Sequence, residues 1–154
     1  MYSRPLVPDG FEVPLRLECA GFTLRPLTVD DVVRDYDAVM TSVDRLVGAP
    51  DGSGWPRGLT LADDLVDLGW HQREFTLRHS FAFTVVTPDD TTCLGCVYLY
   101  PRDGAPVGDA VDVHLWVRTS EAGTGLDGRL EAAVRTWVRE AWPFADVRYP
   151  GRDA

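Results

Sequence analysis

The chain has 154 residues, of which 45% are hydrophobic and 25% charged, a composition typical of one soluble globular domain with a sizeable core. Its formal net charge of −9 at pH 7 argues against a nucleic-acid partner, which needs a basic surface, and favours cationic small molecules as ligands. No apolar run approaches the roughly 20 residues that cross a bilayer, and the N-terminus lacks a secretion signal. We therefore expect a cytoplasmic protein with no membrane contact.

All fifteen basic residues are arginine, and the chain contains no lysine, isoleucine or asparagine. Because the codons of these three residues are rich in A and T, we expect a bacterial source with a GC-rich genome. Without lysine, the protein cannot use a lysine nucleophile or a lysine Schiff base.

The three cysteines are Cys19, Cys93 and Cys96, and their odd number argues against a disulfide framework. Cys93 and Cys96 have the Cys-x-x-Cys spacing, but they lie in an apparent strand, where residues three apart point to opposite faces. No second pair completes a zinc site. We predict ordinary buried or half-buried thiols and no bound metal.

Residues 1–20 form an irregular extension, because Pro5, Pro8 and Pro14 interrupt any regular element. We expect this extension to pack along the main body. Residues 22–27 alternate apolar and polar side chains and reach a proline, which predicts an edge strand.

Two helices follow, and each opens with the same capping pattern. Thr28 precedes Asp31 by three residues, and Thr60 precedes Asp63 by the same interval. Acids at these positions suit the positive first turn of a helix, so we read them as devices that start the helix. The loop between the helices, residues 48–58, contains Trp55, which either covers a ligand or anchors the loop on the core.

The second helix is expected to continue to about His79, with an apolar stripe at Leu61, Leu65, Leu68 and Phe75. His71 and His79 are eight residues apart, which is not the spacing of a metal-binding pair. We therefore place both histidines at the surface or at its boundary.

Residues 80–87, 92–100 and 110–118 predict a meander of three antiparallel strands. A long amphipathic helix comes next, and Pro143 ends it before a short last strand over residues 144–149. Its apolar stripe is continuous and comprises Leu126, Leu130, Ala133, Val134, Trp137, Val138 and Ala141.

The turn between the third meander strand and this helix predicts an anion site. Gly123, Thr124 and Gly125 have little side-chain bulk, so backbone N–H groups can approach a ligand closely. The helix begins at the same place, and its unpaired N–H groups and positive dipole end point into the turn. Phosphate is the usual occupant of such a site.

This order of elements, together with the glycine turn, resembles the GNAT superfamily of N-acetyltransferases. Residues 22–31 are similar to the opening strand and helix of that family, residues 93–99 to its hairpin strand, and residues 115–126 to its acetyl-CoA motif. The resemblance implies one α/β domain of the α+β type over residues 1–154. Its central sheet would be mixed, mostly antiparallel and flanked by helices.

The resemblance also implies acetyl-CoA as cosubstrate and assigns residues to it. The pantetheine arm would pair with Leu115, Trp116 and Val117, next to Arg118. The pyrophosphate would rest on the turn and first helical residues, which are Gly123, Thr124, Gly125, Leu126, Asp127 and Gly128.

Three features depart from the family pattern. Ser120 stands where an arginine or glutamine is usual. The carboxylate of Asp127 would repel a pyrophosphate by on the order of 1 kcal/mol unless Arg118 or Arg129 compensates. The sequence ends soon after the last strand, so a homodimer partner or residues 1–20 would have to supply one wall of the acceptor pocket.

Acetyl transfer to an amine needs a base close to the thioester. Asp112, His114 and Trp116 share one face of the third meander strand, and His114 has the native pKa range of a base, acting directly or through water. Asp112 would hold the imidazole or accept the proton itself, and Tyr149 is the candidate acid. The alternatives are a polar stripe on a half-solvated face for the first two residues and simple aromatic packing for Tyr149.

Two functional hypotheses follow from this reading. The first is an acetyl-CoA-dependent N-acetyltransferase whose acceptor is a small-molecule amine or a peptide. The second is a non-catalytic protein of the same fold that binds CoA or a metabolite, or acts through a partner. Ser120, Asp127 and the short C-terminal part motivate the second hypothesis.

Overall fold

The computed structural model describes residues 4–47, 53–104 and 108–152 and contains one six-stranded sheet with helices on both faces. The strands lie across the sheet in chain order. They are β1 (Leu17–Cys19), β2 (Phe22–Pro26), β3 (Phe81–Val86), β4 (Cys93–Pro101), β5 (Ala110–Val117) and β6 (Asp146–Arg148). The first five strands pair antiparallel, and β6 pairs parallel with β5. The predicted mixed, mostly antiparallel sheet and the predicted meander are confirmed.

Four helices accompany the sheet, and none of the described ones is long and apolar enough to cross a bilayer. They are α1 (Val32–Met40), α2 (Val43–Leu46), α3 (Leu61–Thr76) and α4 (Leu126–Ala141), with a single 3-10 turn over Val29–Asp31 before α1. Both predicted capping pairs are present: the Thr28 N–H donates to Asp31 at 2.9 Å, and the Asp63 N–H donates to the Thr60 hydroxyl at 3.1 Å.

The prediction that β2 is an edge strand is wrong. The short strand β1 pairs with β2 over Leu17–Cys19 and becomes the edge instead. β1 could not be predicted, because three residues after a proline-rich extension show no clear alternation of apolar and polar side chains. The extension itself packs on the body as expected, with Leu6 and Val7 fully buried.

The larger hydrophobic core lies between the sheet and α4, and the predicted apolar stripe of that helix is confirmed. Leu130, Val134 and Val138 are buried there against the side chains that alternate along the strands. The predicted face of β3 is confirmed as well, because Phe81, Phe83 and Val85 all belong to this core. The opposite face of the sheet is covered by α1 and α3.

The predicted apolar stripe of α3 is partly wrong. Leu61 and Leu65 are each 46% exposed, whereas Leu68 is buried. The helix also ends at Thr76, before His79. The α3 face that meets the sheet is therefore not the face with the most leucines.

A β-bulge in β4 overturns the prediction that Cys93 and Cys96 point to opposite faces. Val86 pairs with Cys93, but its neighbour Val85 pairs with Gly95, so β4 contains one residue more than its partner at this point. The extra residue resets the alternation of side chains. Both thiols consequently lie in the same small cluster under α1.

Gly95 marks the closest approach of β4 and β5. A Cβ atom placed there would lie 2.0 Å from the carbonyl oxygen of Trp116, which belongs to the backbone and cannot turn away. The bulge thus needs a residue without a side chain.

Candidate active site

A gap opens in the sheet between β5 and β6. The two strands pair only where Ala110, Val111 and Asp112 face residues 146–148, and β5 then continues to Val117 without β6 beside it. Alternate residues of β5 form backbone hydrogen bonds with β4. The residues between them, including Leu115 and Val117, direct their carbonyl groups into the gap. This is where the sequence predicted that a pantetheine arm would bind.

Two arginine side chains donate hydrogen bonds to those carbonyl groups. Nη2 of Arg152 donates to the oxygen of Leu115 at 3.2 Å, and Nη1 of Arg45 donates to the oxygen of Val117 at 2.7 Å. Neither arginine was predicted to lie here, because both are far from β5 in sequence.

Arg152 also pairs with the carboxylate of Asp127, which was expected to repel a pyrophosphate. Its two terminal nitrogens bond both carboxylate oxygens of Asp127 at 2.8 Å, and one of them contacts Glu131 at 2.9 Å. This pairing lowers the pKa of Asp127. The expectation that Arg118 or Arg129 compensates Asp127 is wrong, since Arg152 does so.

The guanidinium of Arg118 turns away from the glycine turn. It donates to the carbonyl of Cys93 at 3.1 Å and to Asp37 at 2.9 Å, on α1. Arg129 bonds only the carbonyl of Thr124, at 3.2 Å, among the partners that the structure describes. The geometry therefore gives no support to Arg118 as a ligand of the cosubstrate.

The glycine turn has the backbone and the space that an anion needs. Gly123 and Gly125 both have a φ of +85°, the left-handed region that glycine adopts without strain, and Gly125 is the N-cap residue of α4. Leu126 donates its N–H to the hydroxyl of Thr124 at 3.3 Å. Above the first helical turn, a Cβ atom on Gly128 would meet nothing within 4 Å. A phosphate group could therefore approach the helix N-terminus closely.

A cavity of about 670 Å³ runs from this gap to the space between the sheet and the helices α1 and α3. Five of the predicted site residues line it, and they are His114, Leu115, Trp116, Val117 and Asp127. The remaining predicted residues lie around the glycine turn or outside the lining. None of the described residues of the N-terminal extension lines the cavity.

His114 is the predicted catalytic residue that the cavity reaches. Its ring lies 5.7 Å from the ring of Tyr100, measured between centroids. Burial lowers the pKa of His114, and the nearby charge of Asp112 partly opposes that effect. The imidazole is thus neutral near pH 7 and able to accept a proton.

The structure does not bring Asp112 and Tyr149 to the cavity. Asp112 bonds Nε of Arg102 at 3.0 Å and lies 3.7 Å from Nε of Arg148. Tyr149 is 5% exposed within the larger core, and the guanidinium of Arg135 lies 3.9 Å above its ring. The catalytic roles predicted for both residues gain no support from these positions.

The end of the cavity that lies away from the gap is acidic, and the sequence did not predict it. Asp64, Asp67 and His71 line it from α3, at the i, i+3, i+7 spacing of one helical face. Asp35 joins them from α1, within hydrogen-bonding reach of Asp64. The spacing was visible in the sequence, but the leucines of the same helix formed a competing pattern.

Asp35 and Asp64 form a buried carboxyl pair, with exposures of 4% and 2%. Desolvation raises the pKa of Asp64 to about 6 and the pKa of Asp35 well above its usual range. Two adjacent carboxylates cannot both ionise easily away from water, so the pair shares one proton near neutral pH.

His71 is half-buried, which agrees with the boundary position that the sequence predicted. It stacks on Tyr98, with ring centroids 5.4 Å apart, and Tyr98 stacks in turn on Tyr100 at 5.6 Å. Desolvation lowers the pKa of His71 to about 4, so its ring is neutral at pH 7. Trp55 packs on the cluster beneath α1, which confirms that it anchors its loop on the core, and it also lines the same cavity. That it covers a ligand remains a prediction.

The two thiols of β4 lie beside this acidic end. Cys96 donates to Asp35 at 3.4 Å, and Cys93 donates to the carbonyl of Gly95, also at 3.4 Å. Ligand-type atoms of Asp35, Cys93 and Cys96 lie within 4.8 Å of one another. The prediction that the protein binds no metal remains a prediction.

The fold matches those of several acetyltransferases of known structure. RimL, a ribosomal L7/L12 alpha-N-protein acetyltransferase, shares 16% identity over 90% of this chain and 74% of its own, with a TM-score of 0.66. The ribosomal-protein-S5-alanine acetyltransferase of Vibrio fischeri shares 16% identity over 83% and 69%, with a TM-score of 0.64. MccE, a microcin C7 self-immunity acetyltransferase solved with acetyl-CoA and AMP, shares 12% over 82% and 68%, with a TM-score of 0.62.

No family model and no curated protein sequence matches the chain. At these identities the structural likeness establishes the fold alone. The chain has the GNAT acetyltransferase fold, as its element order predicted.

Proposed function

We propose that the chain is an acetyl-CoA-dependent N-acetyltransferase that acts on the amine of a small molecule or a peptide. The observation that supports this most is a single cavity that connects the open edge of β5, the first turn of α4 at Asp127 and the neutral imidazole of His114. The GNAT fold adds to it, since MccE has been solved with acetyl-CoA. We propose one domain over residues 1–154 as the unit of this activity.

The residues of the gap fit a CoA molecule if the two arginines move. Pantetheine amides would take the carbonyls of Leu115 and Val117, which Arg152 and Arg45 now occupy. Both guanidinium groups act on Asp127 in the first turn of α4, Arg152 by direct hydrogen bonds and Arg45 by its charge, and the phosphates would lie near this turn. Arginine side chains are long and flexible, and phosphate is among their best partners, so the same two residues would neutralise the pyrophosphate.

The chemistry needs one proton acceptor and a polarised carbonyl. The amine nitrogen attacks the thioester carbon, the new C–N bond forms, and the C–S bond breaks. His114 accepts the proton that leaves the nitrogen, directly or through a water, and the thiolate takes up a proton as it departs. A backbone N–H of β5 in the gap can stabilise the oxygen of the thioester as its charge develops.

Calorimetry with acetyl-CoA, followed by mass spectrometry of an amine panel, tests the proposal. We expect acetyl-CoA to bind and His114→Ala to lower kcat about 100-fold to 10,000-fold, because general-base catalysis contributes that range. The affinity for acetyl-CoA should be unchanged in this variant. Folded protein that binds no acetyl-CoA at about millimolar concentration, which corresponds to a binding free energy near −4 kcal/mol, would refute the proposal.

The alternative is a non-catalytic protein in which Arg152 and Asp127 have replaced the cosubstrate. We do not favour it, because the cavity still reaches His114. Arg152→Ala separates the two readings: acetyl-CoA should bind about tenfold more weakly if Arg152 pairs with its phosphates, and more tightly if Arg152 only blocks the gap. Arg139→Ala, which removes the same charge from the exposed far end of α4, is the control.

A further inference from the structure

α3 turns the acidic side chain of Asp64 toward the protein interior and two of its three leucines toward solvent. Asp64 is 2% exposed, although Leu61 and Leu65 on the same helix are largely exposed. Burying carboxyl groups while exposing leucines works against folding, so it needs another reason. Sites where a local rule is broken in this way are typically functional sites.

The buried acids lack a basic partner in the part of the chain that the structure describes. Every contact that shifts the titration of Asp35 or Asp64 comes from a thiol or another carboxyl group, and none comes from an arginine. Oδ2 of Asp64 is buried and accepts no hydrogen bond from any described residue. A buried carboxylate is normally paired with a cation, and the proton that Asp64 shares with Asp35 still leaves the pair with one negative charge, so the pair points to a cation that the described residues do not provide.

The surroundings of the acids are aromatic. Tyr98 and Tyr100 stack nearly parallel, with an angle of 6° between their rings, and His71 packs over both, with ring centroids 5.4 Å and 6.4 Å away. His114 extends this aromatic row next to Tyr100. Such walls exclude water and strengthen the attraction between an ammonium group and a carboxylate.

We infer that the acceptor is an amine with a second cationic group, an inference that rests on the proposed acetyltransferase function. Asp64, Asp35 and Asp67 bind the second cation at the inner end of the cavity, and the amine that receives the acetyl group lies near His114. A diaminoalkane has this chemistry: two ammonium groups joined by an apolar chain that can lie along the aromatic row. An ammonium group would supply the hydrogen bond that Oδ2 of Asp64 lacks.

Putrescine and butylamine test this inference, because they share a carbon chain and differ by one ammonium group. With acetyl-CoA, we expect kcat/KM to be at least about tenfold higher for putrescine, the typical gain from a charged hydrogen bond in a buried site. Asp64→Asn should remove most of that preference, so that kcat/KM for putrescine falls toward the value for butylamine. Asp67→Asn should reduce the preference by a smaller factor, because Asp67 is less buried.

Asp30→Asn is the matched control, since Asp30 is exposed and lies outside the cavity lining. It removes the same charge and should keep the full preference for putrescine. If butylamine and putrescine are acetylated equally well, or if Asp64→Asn leaves the preference intact, the inference is wrong while the proposed function stands.

A direct binding measurement distinguishes a failure of the acidic site from a failure of the proposed acetyltransferase function. Calorimetry of putrescine against the protein without acetyl-CoA should show binding that Asp64→Asn weakens about tenfold and Asp30→Asn does not. Putrescine binding without any acetylation would sink the proposed function but support the acidic site. Acetylation of amines without any effect of Asp64→Asn in either assay would overturn the acidic site alone.

Discussion

Helices α3 and α4 have the same length of 16 residues and pack on opposite faces of one sheet, yet they use their buried faces differently. α4 buries leucine, valine and tryptophan side chains, as its sequence predicts. α3 buries Asp64, Leu68 and Glu74 and leaves two leucines exposed. The comparison indicates that α4 stabilises the fold, whereas α3 buries fewer apolar side chains and forms a wall at the acidic end of the cavity.

The largest effect on stability is expected on the inner face of α4. Leu130→Ala removes a side chain that is fully buried, so the free energy of unfolding should fall by about 2–5 kcal/mol. Denaturation with urea, followed by circular dichroism, measures this change. A loss below about 0.5 kcal/mol, the usual size of a surface effect, would contradict the role given to α4.

The inner face of α3 should respond in the opposite direction. Burial raises the pKa of Asp64 to about 6, so its contribution to stability is fully present below about pH 4 and is lost as the pH rises through about 6. Asp64→Asn removes that loss and should stabilise the protein by about 1–2 kcal/mol at pH 8, because replacing a buried charged group is often stabilising. The difference should vanish near pH 4.

Thermal unfolding of both proteins across this pH range measures the effect. A variant that is less stable than the original protein at pH 8 would show that Asp64 serves the fold and not a ligand.

The ion pair at the start of α4 should contribute less. Arg152 lowers the pKa of Asp127 and helps to lower that of Glu131, so its contribution is present at neutral pH and is lost as the pH falls below about 4. Because Asp127 is 39% exposed, Arg152→Ala should cost only about 0.5–1 kcal/mol at pH 7. Unfolding at pH 7 and at pH 3 checks this, and an equal cost at both values would exclude an electrostatic cause.

The smallest effect is expected on the outer face of α3. Leu65→Gln replaces a side chain that is 46% exposed with one of similar helix propensity, so stability should change by no more than about 0.5 kcal/mol. A loss comparable to that of Leu130→Ala would mean that another surface covers this face in solution. Urea denaturation at two protein concentrations distinguishes these outcomes.

The sequence predicted what depends on short-range pattern and missed what depends on distant partners. The meander, α4, both caps and the glycine turn each follow from residues within a few positions of one another. The pairing of Arg152 with Asp127 joins residues 25 positions apart, and no local pattern announces it.

The candidate site was predicted only in part for the same reason. His114 was identified from its strand, and the strand end at residues 115–117 from the resemblance of the strand and the following turn to an acetyl-CoA motif. The carboxyl pair of Asp35 and Asp64 needed two helices to meet, and the shared face of the two cysteines needed a bulge that alternation cannot reveal. Tyr149 was chosen by its position in the chain, but packing places it in the core.

The two arginines in the gap have a consequence beyond ligand binding. The stretch of β5 that β6 leaves uncovered is a free sheet edge, and a free edge can recruit a strand from another molecule and start aggregation. A guanidinium group has donors and no acceptor, so Arg45 and Arg152 cover the carbonyls of that edge and offer nothing to the N–H groups of an incoming strand. An incoming strand would therefore find the carbonyls of Leu115 and Val117 already bonded and no acceptor on either guanidinium group.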